Sequence, residues 1–418
     1  MKKILIILII LIIITAGIAF WLFTADTPTE TNTDDTEPTL VQRFNPFNRS
    51  TVKTDEPIIK KATTTKEEVP VENIVEMPIL RRISQEPVAG YMASSTVDST
   101  IVRYIDRGTG HIYEAKSDRE SVEKISNTTI ARVYEGYWNK NLDATILRYI
   151  KEGTDIVTNL YGKIEVSTNT GSTTDRTPYQ TKGRIISSSI KEVAVSPKGD
   201  RIFTFNLEDG TGIGYVSGFD ESKKTKIWNT PITQVNISWP EENTLMATTK
   251  SSGYSYGYSY FIDIKTGMVK KMLGQIIGLS AKASPDAKNI LFSAGSNAKN
   301  ISSFIYNVKN NSSQSIIFKT LADKCVWSKL RVNEIYCAVP VEFPEGVYPD
   351  DWYKGNISFI DKIWYLNTDT GEVHLLADLL TLSKSLIDVT DIGLDTKEDF
   401  LYFINKNDLN LWSLDLNR

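Results

Sequence analysis

The residues with the strongest chemical character stand together in one stretch, 340–361, which reads PVEFPEGVYPDDWYKGNISFID. Phe343, Tyr348, Trp352 and Tyr353 occur there beside Glu342, Glu345, Asp350 and Asp351. Aromatic faces offer flat apolar area and neighbouring carboxylates accept hydrogen bonds, a combination that suits sugar rings or peptide side chains. Two outcomes are open: the stretch presents these groups to a ligand, or it folds back and uses the rings as a core of its own. A second segment, SSGYSYGYSY at 251–260, carries Tyr254, Tyr256 and Tyr258. Loops of Tyr, Ser and Gly give contact area at low entropic cost, and they are also ordinary hairpin tips.

Catalytic patterns are weak. Gly253-Tyr254-Ser255-Tyr256-Gly257 matches the nucleophile motif G-x-S-x-G, but that chemistry needs a strand–turn–helix elbow followed by an acid and a His. No helical pattern follows, and His374, the downstream His, falls in a predicted strand. A prolyl-peptidase reading would need a following hydrolase domain. The alternative enzyme reading is a polysaccharide hydrolase or lyase that uses Asp350 or Asp351 with a second carboxylate about 5–10 Å away on a neighbouring loop. Two Cys and two His argue against a Cys/His metal centre. The acidic turns at 263–267 and 367–371 lack the alternating oxygens and closing Glu of a Ca²⁺ loop. No metal or cofactor is expected, and the leading expectation is a protein that is not an enzyme. Cys325 and Cys337 flank a turn centred near Arg331, which places them opposite each other in adjacent strands. They form either a cross-strand disulfide or two small buried thiols.

The elements that must carry these residues come from a repeat. SPKGDRIFTF at 196–205 returns as WPEENTLMATT from Trp239, SPDAKNILFSA from Ser284 and WSKLRVNEIYCAV from Trp327, a period of about 43 residues. Each copy ends a strand at Ser-Pro, Trp-Pro or an equivalent, makes a polar turn and enters an apolar strand. A third strand then leads through Asp/Asn-x-x-Thr-Gly into a fourth. Repeats of this length made of short strands predict an all-β fold, a β-propeller with one four-stranded blade per copy. First strands are expected near Val88, Arg132, Val193, Val235, Leu279, Lys324 and Val389. That makes seven blades, with six or eight also compatible because the first two copies are degenerate. The final blade stops after three strands, and 77–84 (MPILRRIS) is free to supply its outer strand and hide the edge. The stretch 340–361 and the Tyr-rich segment are both second-to-third-strand loops and share one face. A polar insertion at 167–181 is read as a solvent loop on the opposite face.

The Ser-Pro-Asp/Lys-Ala/Gly-Lys/Asp turns at 196–200 and 284–288, with the strands after them, resemble the WD-like repeat of TolB-type β-propellers. The resemblance spans residues 77–418, with three or four copies close to the pattern. It implies the fold and an extracytoplasmic binding or scaffolding role, and it implies no enzyme activity. The chain also resembles, more loosely, membrane-anchored propellers of bacteria with reduced genomes.

Residues 4–23 form an uncharged apolar run, long enough as a helix to span about 30 Å of hydrocarbon. Lys2 and Lys3 precede it, while Asp26, Glu30, Asp34, Asp35 and Glu37 follow. The charge bias predicts residues 1–3 in the cytoplasm, a single-pass anchor in the inner membrane and the rest outside, in the periplasm or on the cell surface. A cleaved signal peptide, with 17–19 as its cleavage site, is the rival. Residues 24–76, rich in Thr, Pro and charge, read as a disordered linker. A formal net charge of −4 without a basic cluster beyond the N-terminus gives no sign of a nucleic-acid partner. The expectation is therefore a membrane-anchored binding or scaffolding module for an envelope protein or glycan.

Overall fold

The side chain that opens each first turn explains why a hairpin forms there. Ser196 Oγ donates to Asp200 at 2.8 Å and accepts from the Arg201 amide at 3.1 Å, while Gly199 takes φ 69°. Ser284 does the same with Asp286 at 2.7 Å and the Asn289 amide at 3.0 Å. A side chain that satisfies the turn's own groups lets the backbone enter the next strand without an orphaned donor. The turn into the fourth strand uses a carboxylate instead. One oxygen of Asp263 accepts from the amides of Lys265 and Thr266 at 3.0 and 2.8 Å, and Gly267 supplies φ 70°.

The computed structural model describes residues 77–97, 99–167, 178–295 and 301–418. The apolar run at 4–23, the linker at 24–76 and much of the 167–181 insertion lie outside the described residues. No helix among the described residues is long and apolar enough to cross a membrane.

The strands form antiparallel meanders of four. Separate four-stranded sheets occupy 190–230, 235–277, 280–315 and 325–378. An eight-stranded sheet holds two more meanders, 88–126 and 133–185, joined by one parallel pair, Ser126 with Tyr179. The last sheet adds Leu80–Arg82 outside Leu411–Asp415, so that both ends of the described chain share it. In chain order the meanders are called first (88–126) to seventh (389–415 with Leu80–Arg82). Their innermost strands start at Val88, Val133, Ile190, Val235, Ser280, Cys325 and Val389. Part of the polar insertion departs from the solvent-loop expectation: residues 179–181 belong to the strand Tyr179–Ile185, and Thr181 is buried. Pairing with the preceding strand satisfies its backbone and overrides its polar composition.

Core clusters lie between neighbouring sheets. Phe203, Phe205 and Trp228 of the third meander meet Val235, Leu245 and Ile262 of the fourth. Leu291 of the fifth and Phe318, just after its last strand, meet Trp327, Ile335 and Leu366 of the sixth. A meander thus buries its apolar face only against the next one, which couples the sheets in series. First and seventh meet as well: the Tyr91 hydroxyl donates to the carbonyls of Asp391 at 2.6 Å and Tyr402 at 3.0 Å.

Candidate functional site

The long connection of the sixth meander, 341–360, joins Glu334–Pro340 to Asp361–Asn367 and contains a short helix, α1 (Asp350–Tyr353). Its aromatics pack mostly on one another. Tyr348 is 0% exposed and Trp352 3%; both lie against Phe359, with ring centroids 5.8 and 6.2 Å apart. Phe343 sets its edge against Tyr348 and Phe359 at 5.6 and 5.4 Å. Tyr353 is turned outward at 41% exposure, and its hydroxyl donates to the Asp323 carboxylate. Although part of the residue faces solvent, the protein packed around its hydroxyl, and then Asp323, push that hydroxyl well above its usual pKa of 10.

Beneath the connection lies a group of buried charges that the sequence did not announce. Lys324 is fully buried, and its ammonium contacts Asp388 at 2.6 Å, Asp361 at 2.8 Å and the Val389 carbonyl at 2.7 Å. It also lies 4.9 Å from the centre of the Trp352 ring. Asp388 accepts the Trp352 indole N–H at 2.9 Å and the Phe359 amide at 3.1 Å. Asp361 accepts the Val389 amide at 2.6 Å, while its other oxygen has no hydrogen-bond partner among the described residues. Burial pushes the Asp361 carboxyl up to about 6; Lys324 pulls it down and Asp388 pushes it up. Isolated charges at this depth are very costly, so these groups hold one another in place. The pattern escapes a linear reading because the three residues are far apart in sequence, and a Lys at a first-strand start looks like any surface Lys.

Asp350 and Asp351 both act inside the loops. Asp350 accepts the Ser252 hydroxyl at 3.1 Å and the Gly253 amide at 2.6 Å, which brings the two sequence-predicted loops into contact. Gly253 permits this approach, because a Cβ there would stand 2.6 Å from the Tyr348 carbonyl oxygen. Asp351 accepts the Val347 amide at 2.7 Å and Asn356 at 3.1 Å, and those bonds hold its carboxyl below the ordinary range. Tyr254 and Tyr256 are 72% and 60% exposed, and Tyr258 is half-buried. Ser255 precedes the strand Tyr256–Asp263, not a helix, and His374 pairs with Glu372 at 2.8 Å in the outer strand Val373–Asp378. Cys325 and Cys337 face each other in register, both fully buried, and form a disulfide. No cluster of metal-ligating side chains occurs among the described residues.

The exposed tyrosines therefore stand on a β-propeller, and comparison with solved structures supports that fold. The chain is similar to oligogalacturonate lyase from Vibrio parahaemolyticus, with TM-score 0.52 and 8% identity over 80% of this chain and 93% of the other. It is similar to hydrazine synthase from Kuenenia stuttgartiensis, with TM-score 0.50 and 11% identity over 79% and 96%. TolB from Acinetobacter baumannii aligns at 11% identity over 74% of this chain and 60% of that one, with TM-score 0.38. Neither a protein-family model nor a curated protein sequence matches the chain. At such identities the first two likenesses define the fold alone, and activity has to be argued from the site.

Proposed function

We propose that this chain is a non-enzymatic binding or scaffolding module, held at the outer side of a membrane by residues 4–23, which recognises an envelope protein or glycan. In this reading every meander is one blade and the ring has seven. Tyr254, Tyr256 and Tyr353 form the contact surface, and Phe343, Tyr348, Asp350, Asp351 and Trp352 shape and hold the loop behind it. The observation that carries the reading is the exposure of Tyr254 and Tyr256 next to a loop fixed by Asp350. Exposed rings on a rigid support give apolar contact area without an ordering cost on binding.

The test is capture of solubilised envelope proteins and cell-wall glycans by the full chain and by a Tyr254→Ser/Tyr256→Ser variant. A partner held by the native chain and lost by the variant, with unchanged thermal unfolding, is the expected result. A partner retained by the variant refutes the surface. Turnover of an envelope polysaccharide by the native chain refutes the non-enzymatic reading.

A further inference from the structure

The innermost strands of all seven meanders surround a channel of about 1170 Å³. Six carboxylates line it, and the protein's own donors hold five. Glu135 is bonded by Arg148 at 2.6 Å, Glu241 by the Asn243 amide at 2.9 Å, and Glu242 by Arg201. Asp395 takes the Phe400 amide at 2.7 Å and Glu398 the Lys329 amide at 2.6 Å. Asp391 is the sixth. Its carboxylate has no hydrogen-bond or ion-pair partner among the described residues and is open to the channel, whose enclosing walls raise the carboxyl above its ordinary range while Lys282 lowers it and Glu135 raises it. A bulge between Thr390 and Gly393 aims it there, at φ 48°, and Tyr91 secures the bulge through the Asp391 carbonyl.

Lys282 lines the same channel. Its ammonium donates to the Cys325 carbonyl at 2.7 Å, which uses one of its three donors. Burial lowers its pKa, and Asp323 and Asp391 raise it, so it senses Asp391 without forming an ion pair with it. Arg107, Lys140 and Lys329 also face the channel, which disfavours a bare cation and favours a ligand carrying both charges.

We propose that this wall of the channel binds the α-ammonium end of an amino acid or a peptide together with the oxygen next to it. The Asp391 carboxylate takes the α-ammonium, and the Lys282 ammonium takes the neighbouring carbonyl or carboxylate oxygen. A carboxylate without a partner and an ammonium with donors to spare, lining one channel, match such a head group, and charge-assisted hydrogen bonds are the strong ones. The site is separate from the tyrosine surface and goes beyond that reading.

Calorimetric titration of the full chain with Gly-Gly-Gly, N-acetyl-Gly-Gly-Gly and glycine tests it. Gly-Gly-Gly is expected to bind, and acetylation or Asp391→Asn is expected to weaken it roughly 10- to 100-fold. Lys282→Gln should weaken it by a similar factor. Glycine binding as tightly as the tripeptide assigns a free amino acid, and weaker binding assigns a peptide N-terminus. Equal affinity for the acetylated tripeptide, or no binding of either native ligand at millimolar concentration, overturns the proposal; this comparison needs only the native chain, so it holds even where a variant fails to fold. The Tyr254→Ser/Tyr256→Ser variant should keep its tripeptide affinity, so failure here and failure of the tyrosine surface are told apart.

Discussion

Replacing Lys324 with Met isolates the charges under the long connection. The side chain is fully buried and meets two carboxylates at 2.6 and 2.8 Å and a carbonyl at 2.7 Å. Met keeps most of the volume and the packing under Trp352, so the change is chiefly electrostatic. Removing one partner of a buried ion pair costs about 3–5 kcal/mol, because the other charge stays behind uncompensated. Here two carboxylates stay behind, and Lys406, 3.9 Å from Asp388, offsets only part of the loss. The expected destabilisation at pH 7 is about 4 kcal/mol, read from urea unfolding midpoints. Its pH dependence carries a sign. Lys324 is what pulls the Asp361 carboxyl down, so without it that carboxyl stands further above its unfolded value, its neutral form favours folding, and the variant regains stability as pH falls toward 4. Adding Asp361→Asn and Asp388→Asn to the variant should restore most of the loss at pH 7. A loss under about 1 kcal/mol, or one that stays constant between pH 7 and 4, would refute the reasoning.

Two further outcomes follow from described geometry. The Asp361 carboxyl stands at about 6 in the folded chain against an ordinary 3.8, so its contribution to stability is complete below pH 3.8 and is lost as pH rises through 6. Asp361→Asn should remove that slope, worth about 3 kcal/mol, from the urea-unfolding profile between pH 4 and 7; an unchanged slope would contradict the assignment. Replacing both Cys325 and Cys337 with Ser opens a covalent loop of sequence separation 12 and should cost about 2–4 kcal/mol in the same assay. Native and variant unfolding at the same midpoint would show that the bond contributes nothing.

The fold was legible because its rules are local. Ser196, Ser284 and Asp263 close turns with their own side chains, and such turns recur at a fixed period whatever surrounds them. The placement of 77–84 beside the last strand followed from counting strands, and Leu80 does pair with Leu414. The site was legible only in part. The sequence marks 340–361 and 251–260 as unusual, yet it gives no sign that Tyr348 and Trp352 turn inward while Tyr254 and Tyr256 turn out. The inward turn of Trp352 meets Lys324 and Asp388, and these come together with Asp361 only after the sixth and seventh meanders pack. Asp391 was invisible for a related reason. Its direction is set by a bulge and by Tyr91, 300 positions away in the chain.

The pairing of Leu80–Arg82 with Leu411–Asp415 fixes the order in which the protein can be completed. Ser84 Oγ accepts the Leu411 amide at 2.9 Å across a separation of 327 positions. The outer strand of the last sheet is therefore made first and finds its partner last. A chain emerging N-terminus first holds an unpaired edge until Leu411–Asp415 has been made, and unpaired edges invite pairing with other chains. The seam is short, three residues against a full sheet, so the edge it leaves open meanwhile is also short. A chain cut anywhere before Leu411 lacks the partner strand and leaves Leu80–Arg82 unpaired.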